Sequence, residues 1–153
     1  MKIGVLSDTH GYLDPRVLKH FKGVDHILHA GDIGYPSIIL ELEHVAPVTA
    51  VLGNTDHGLD FKETEWITLG DRKFMVHHIV PPFTPGEELR AKLDRTGTQV
   101  VVFGHTHRRF TQRFDDVTLF NPGYSGKPRH GVDRSVAILE LNGGELVHRF
   151  IQL

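Results

Sequence analysis

In the first half of the chain, short runs of aliphatic and β-branched residues alternate with stretches whose apolar positions recur at helical spacing. That alternation predicts βαβ units, with parallel strands in a sheet covered by helices. Lys2 to Ser7 reads as the first strand. Asp14 then opens a helix to about Phe21, because aspartate satisfies free N–H groups at a helix start and Pro15 has a φ suited to the first turn. Gly23 stops it, and Asp25 to His29 forms a second strand. Pro36 begins a helix whose Ile38, Ile39, Leu42 and Val45 make one apolar stripe; Pro47 ends it, and Val48 to Leu52 is a third strand.

Beyond this point strands dominate. Thr64 to Leu69 and Lys73 to His77 flank Gly70-Asp71-Arg72 and predict a hairpin. Pro81, Pro82 and Pro85 form a stiff loop before a helix from about Gly86 to Asp94. Gln99 to Phe103 is an apolar strand between glycines, followed by strands at Phe110 to Phe114, Val117 to Phe120, Val136 to Leu141 and Glu145 to Ile151. Asn142-Gly143-Gly144 joins the last two. The expected fold is α/β: one domain over residues 1–153, with an antiparallel second half and two β-sheets stacked as a sandwich flanked by helices.

Composition narrows the function classes. The 153 residues are 39% hydrophobic and 24% charged with a net charge of −2, which argues against disorder and against a stable nucleic-acid partner. No cysteine is present, so disulfides, thiolate metal sites and cysteine nucleophiles are all excluded. No cleavable leader and no apolar run of about 18 residues stands out, so the expectation is a cytoplasmic protein without a membrane partner. Twelve histidines against two methionines draw attention, since histidine is the commonest protein metal ligand.

In open α/β sheets, ligands bind beyond the carboxyl ends of the strands. Those ends read Ser7-Asp8-Thr9-His10, Gly31-Asp32, Gly53-Asn54, His77-His78 and Gly104-His105-Thr106-His107. Any one of them has a plain explanation, because Asp or Asn after a strand is more often a turn residue and a lone histidine more often lies on the surface or in the core. Coincidence at successive strand ends points to a shared site. Glycine before Asp32, Asn54 and His105 fits backbone that bends sharply and approaches an ion closely. The pairs Asp8-x-His10 and His105-x-His107 would each aim two side chains the same way if the backbone stayed extended.

The donor set is oxygen and imidazole nitrogen, which suits manganese, iron, zinc or nickel better than calcium or magnesium. Seven donors exceed what one tetrahedral ion needs and match two ions sharing a carboxylate. Two dications against two carboxylates leave an excess of about two positive charges, a field that attracts a phosphate ester.

In order and spacing, Asp8-Thr9-His10, Gly31-Asp32, Gly53-Asn54, His77 and Gly104-His105-Thr106-His107 resemble the calcineurin-like metallophosphoesterase signature. The compact length and Asn121-Pro122-Gly123 resemble the small branch that includes the YfcE-type phosphodiesterases and the retromer subunit Vps29. The resemblance implies a two-sheet sandwich, two divalent ions with manganese favoured, and hydrolysis of small phosphate esters, phosphodiesters above monoesters, by a hydroxide that the ions activate. It implies Asp8, His10 and His107 on one ion, Asn54, His77 and His105 on the other, and Asp32 between them. Asn54 would also contact the substrate phosphate. It equally permits a catalytically weak Vps29-like scaffold or a metal or nucleotide sensor.

Four departures matter. Thr55 stands where many members carry the histidine that protonates the leaving group, so His78 or Asp56 becomes the candidate acid. Tyr35 replaces a frequent aspartate, His78 a usual glycine and Tyr124 a usual serine. Elsewhere, His20, His26, His44 and His148 read as surface or packing residues, His29 as a candidate support for the ligands, and Arg108 or Arg109 as a candidate substrate contact. Ile79 to Phe83 is an apolar stretch suited to a cleft wall or a partner surface. Exposed strand edges leave a homo-oligomer open.

Overall fold

The computed structural model describes residues 1–81 and 86–153. Along the chain its elements are β1 (Lys2–Leu6), α1 (Pro15–His20), β2 (His26–His29), α2 (Pro36–Glu43), β3 (Val48–Ala50), β4 (Thr64–Leu69) and β5 (Arg72–His77). Then follow α3 (Glu87–Thr96), β6 (Val100–Val102), β7 (Arg109–Phe114), β8 (Val117–Pro122), β9 (Ser135–Asn142) and β10 (Glu145–Gln152). The expected proline-rich loop and apolar stretch fall partly on residues 82–85, outside the described residues.

Local chemistry accounts for the helix ends. Asp14 caps α1 by accepting the Arg16 N–H at 3.0 Å, and Pro15 follows it in the first turn. Gly97 terminates α3 in the left-handed conformation at φ 65°, carrying that helix two residues beyond the expected Asp94.

The strands form two five-stranded sheets, in the orders β10-β9-β1-β2-β3 and β4-β5-β6-β8-β7. In the first, β1, β2 and β3 run parallel, as the βαβ reading requires, and β9 adds antiparallel to β1. The expected antiparallel second half needs two corrections. Within the second sheet the β5–β6 and β6–β8 pairs are parallel, and the final β9–β10 hairpin belongs to the first sheet. The reason is burial on both faces of β9. Ala137, Leu139 and Leu141 enter the core shared by the sheets, while Val136 and Ile138 pack beneath the first two helices. A strand apolar on both faces suits the interior of a sheet, between β1 and β10.

Apolar side chains therefore fill three layers. Ile3, Val5, Leu28, Phe74, Val76, Val100, Val102 and Phe120 occupy the space between the sheets. Val17, Phe21, Ile38 and Leu42 seal α1 and α2 onto the outer face of the first sheet. Leu93 of α3 packs with Met75, Val101 and Phe103 on the outer face of the second. With both sheets pinned in this way, the turns after β1, β2, β3, β5 and β6 meet along one rim.

Candidate metal centre

At that rim the turn after β1 is laced to the turn after β2. Asp8 N–H donates to Gly31 O at 3.0 Å, His10 N–H to Asp32 O at 2.9 Å and Gly11 N–H to Ile33 O at 2.8 Å. The backbone is not extended at the expected ligands. Asp8, His10, Asp32, His105 and His107 all sit at positive φ, between 46° and 66°. Side chains other than glycine enter that region at a cost, and the surrounding hydrogen bonds hold them there. Pairs such as Asp8 and His10 thus converge through tight turns instead of strand alternation. The preceding glycines are needed for space: a Cβ on Gly53 would collide with Asp32, and one on Gly104 with Ser7 and Asp8.

Each carboxylate is anchored by one oxygen and presents the other. Asp8 Oδ2 accepts the His105 N–H at 3.2 Å, leaving Oδ1 3.2 Å from His107 Nε2, 3.9 Å from His10 Nε2 and 4.0 Å from His78 Nε2. Asp32 Oδ1 accepts the Thr55 N–H at 2.9 Å, leaving Oδ2 3.6 Å from His10 Nε2 and 3.4 Å from His78 Nε2. Two groups result, Asp8 with His10 and His107, and Asp8 with Asp32 and His78; within each, the ligating atoms lie within 4.8 Å of one another. Asn54 and His105 complete the rim beside the second group, with Oδ1 and Nδ1 3.0 Å apart and the His105 ring 5.4 Å from that of His78.

His77 is the correction. Expected among the ligands, it stands outside both groups, its Nδ1 donating to Glu63 O at 2.9 Å beside the Thr64 hydroxyl at 2.8 Å. The next residue takes the inward place. His78 is buried, and its Nδ1–H donates to Ala30 O at 2.6 Å, which leaves Nε2 as the lone-pair nitrogen facing Asp8 and Asp32. Neighbouring residues at a strand end face opposite sides, so a one-residue difference in reading exchanges which histidine faces Asp8 and Asp32. His78 is accordingly not placed as a leaving-group acid. Neither is Asp56, whose carboxylate accepts three backbone N–H groups, from Ile33 at 3.0 Å, Gly34 at 2.9 Å and Gly53 at 2.9 Å, and so ties the second and third ligand turns together.

Further support comes from residues the sequence marked only weakly. Asn121 Nδ2 donates to Gly104 O at 2.8 Å and to Thr106 Oγ1 at 3.1 Å, shaping the turn that carries His105 and His107. Tyr124 is wholly buried, and its ring lies 4.8 Å from His107 and 6.1 Å from His10, so the residue that replaces serine packs against two ligands. His29 accepts the Gly31 N–H at Nδ1, which puts its proton on Nε2, directed at Thr9 Oγ1 2.9 Å away; Thr9 in turn donates to Ile33 O at 2.9 Å. Arg108 is exposed at the edge of a cleft next to His107, while Arg109 donates to Gln152 Oε1 at 3.0 Å. Tyr35 is 64% exposed and anchors no ligand among the described residues.

The electrostatics of these groups follow from their surroundings. Burial pushes the His29 pKa down to about 4, only partly countered by Asp8 and Asp56, so this imidazole is neutral. Burial also opposes charge on His78, but Asp32, the Ala30 carbonyl and Asp8 outweigh it and raise its pKa. For Asp32, burial would raise the pKa, yet the His78 imidazole beside it and the Thr55 N–H outweigh burial and hold it well below the carboxylate range.

Among the described residues, buried side-chain atoms without a hydrogen-bond partner are Asp8 Oδ1, His10 Nε2, His78 Nε2 and Arg72 Nε. Three of these four meet at the rim, with His10 Nε2 and His78 Nε2 lying 3.9 Å and 4.0 Å from Asp8 Oδ1. An unsatisfied buried polar atom costs about 1–3 kcal/mol, so three together identify a place built for a group that the chain alone does not supply. Oxygen and imidazole donors around two carboxylates fit divalent cations.

Comparison with known proteins agrees. The family model for the calcineurin-like phosphoesterase superfamily domain matches residues 1–144. A probable metallophosphoesterase of Methanothermobacter thermautotrophicus is 36% identical over 154 residues, covering 95% of this chain and 89% of the relative. A phosphodiesterase of Methanocaldococcus jannaschii is 31% identical, covering 80% of this chain and 83% of its own length. In fold, the chain is similar to Vps29 of Entamoeba histolytica complexed with zinc, with a TM-score of 0.78 at 20% identity over 99% of each chain. No helix among the described residues is long and apolar enough to cross a membrane. The chain belongs to the calcineurin-like phosphoesterase superfamily.

Proposed function

We propose that this protein is a phosphodiesterase working with two divalent cations, manganese favoured, on a small phosphate ester. The observation that carries the reading is the convergence of Asp8 Oδ1, His10 Nε2 and His78 Nε2, buried and unpartnered, between two ligand groups that share Asp8. Asp8, His10, His107 and Asp32 would hold one ion, and Asp32, Asn54, His78 and His105 the other. When bound, the cations supply Lewis acidity, lowering the pKa of a coordinated water and offsetting phosphate charge.

The chain's own groups do the rest. Asp8 and Asp32 are fixed by the backbone N–H groups of His105 and Thr55 and keep one oxygen each for the centre. The Asn54 amide, exposed at the rim, is placed to donate to a phosphate oxygen. With Thr55 in the position of the family's proton donor, and with His78 and Asp56 otherwise engaged, the leaving group departs without a dedicated acid. That favours esters of acidic alcohols, such as aryl or nucleotide diesters.

Elemental analysis combined with hydrolysis of bis-p-nitrophenyl phosphate and p-nitrophenyl phosphate, with added Mn²⁺ and with chelator, tests this. Two equivalents of metal and chelator-sensitive turnover of the diester above the monoester are expected. Bound metal with no turnover of either compound favours a second reading, a metal-binding scaffold, which the likeness to the fold of Vps29 supports.

A further inference from the structure

The rim of the centre opens into clefts on two sides, and their linings differ. On the side of Asn54 and His78 a cleft of about 380 Å³ includes Leu52, Glu63, His77 and Ile79, a partly apolar wall suited to an aryl or alkyl ester arm. On the side of His107 a cleft of about 540 Å³ is lined by Thr106, Arg108, Arg109, Gly131, Val132 and Asp133. The His107 imidazole is the only ring among its lining residues, and the cleft carries two guanidinium groups against one carboxylate. Each volume is in the range that holds a small-molecule moiety.

The two arginines are not equivalent. Arg109 donates to Gln152 Oε1 at 3.0 Å, and its guanidinium lies 6.0 Å from the Phe150 ring, so it is tied to β10. Arg108 is held only at its backbone, where its N–H donates to Thr106 Oγ1 at 3.4 Å; its guanidinium has no hydrogen-bond or ion-pair partner among the described residues. It therefore presents a planar, permanently charged fork directly beside a candidate ligand, at the mouth of a cleft with a net positive lining. A guanidinium fork matches the oxygens of a phosphate group and binds them through paired charge-assisted hydrogen bonds. Asp133, on the same wall, accepts hydroxyl donors and repels an anion placed beside it, so the anionic group belongs on the Arg108 side.

We infer that Arg108 selects substrates whose non-leaving arm carries a second phosphate group, seated in the cleft formed by Thr106, Arg108 and Asp133, while the departing arm lies against Leu52 and Ile79. This rests on the phosphodiesterase reading and adds a substrate class to it, a diester of a phosphorylated alcohol.

The test compares the p-nitrophenyl ester of thymidine 5′-phosphate with the same ester bearing a 3′-phosphate, using Mn²⁺-loaded protein. We expect the 3′-phosphate to raise kcat/KM about tenfold, chiefly through KM, and the ratio to fall to about one in Arg108→Ala and to recover partly in Arg108→Lys. Binding gives a readout independent of turnover. By calorimetry on chelator-treated protein, thymidine 3′,5′-bisphosphate should bind about tenfold more tightly than thymidine 5′-phosphate, with the advantage lost in Arg108→Ala. Equal kcat/KM for the two esters, or a preference that survives in Arg108→Ala, overturns the inference while leaving the phosphodiesterase reading intact. No hydrolysis of these esters or of bis-p-nitrophenyl phosphate overturns that reading itself.

Discussion

Two buried charged clusters among the described residues are finished differently. At the start of α1, Asp14 accepts from Arg16 Nε at 3.0 Å and from Arg16 Nη2 at 2.7 Å, and its Oδ2 also receives Arg134 Nη2 at 2.8 Å. Arg134 spends its remaining capacity on Gly126 O at 2.6 Å and lies 5.7 Å from the Tyr12 ring. Hydrogen bonds from Arg16, foremost, hold the Asp14 pKa well below the carboxylate range despite burial. At the rim, by contrast, the only ion-pair partners of Asp8 and Asp32 among the described residues are imidazoles, and buried atoms are left without partners. The first cluster is completed within the chain and serves stability. The second is completed from outside and serves binding.

The comparison is sharpened most by exchanging neighbours. His78→Ala should lower diester turnover at least about a thousandfold, the effect of several kcal/mol of lost charge stabilisation, and should reduce bound metal by elemental analysis. His77→Ala should retain both metal equivalents and lose less than about tenfold. Equal losses would erase the distinction drawn between these two residues.

Next come stability experiments that separate the clusters. Arg134→Ala leaves Asp14 buried without its inner partner and should destabilise the fold by about 3–5 kcal/mol in denaturant titrations, with or without metal. Chelator should lower the thermal midpoint of the parent protein, because the cations bind the folded state alone, and should lower it far less in His78→Ala. A parent protein indifferent to chelator would contradict the view that the rim cluster is completed by cations.

Tyr124 offers a subtler break. Its ring backs His107 and His10, so Tyr124→Ala should weaken metal binding about 10–100-fold, as loss of a residue that orients ligands does. Tyr124→Phe keeps the ring and removes only the hydroxyl hydrogen bond to Lys127 O, 3.1 Å long. It should bind metal nearly as the parent does, with stability lower by about 1 kcal/mol.

A further effect concerns pH. His29 has its folded pKa depressed to about 4 by burial, whereas an unfolded histidine takes up its proton near 6.5. Between these values the unfolded state binds more protons, so the stability His29 confers is complete above about pH 6.5 and is lost as the pH falls toward 4. The loss is on the order of 3 kcal/mol. NMR titration of the imidazole checks the cause directly: a midpoint near 4 is expected, and one near 6.5 would show that the ring is not sealed in the core.

Much of the architecture was legible in the chain. The helix signals at Asp14-Pro15 and Pro36 and the strand runs were local, and the structure places elements there with ends shifted by a few residues. The convergence of Asp8, His10, Asp32, Asn54, His105 and His107 was also legible, because parallel strands bring their carboxyl ends to one rim. What was not legible depended on distant partners or on one residue of phase. The apolar pattern of Val136 to Leu141 is the same whichever sheet receives it, so its place beside β1 lies in a pairing between the two ends of the chain. His77 and His78 differ only in which side of the β5 end they face. Positive φ at Asp8, His10, Asp32, His105 and His107 is imposed by hydrogen bonds between turns far apart in sequence, and no local propensity announces it. Asp56 could have been suspected from its place three residues after Gly53, the spacing at which an aspartate side chain reaches back to cap a turn.

Anomalous diffraction from crystals of the Mn²⁺-loaded protein tests the central claim most directly. Two metal peaks are expected at the rim, one contacted by Asp8, His10 and His107 and the other by Asp32 and His78, with His77 touching neither. A single peak, no peak, or a metal bound through His77 would contradict it.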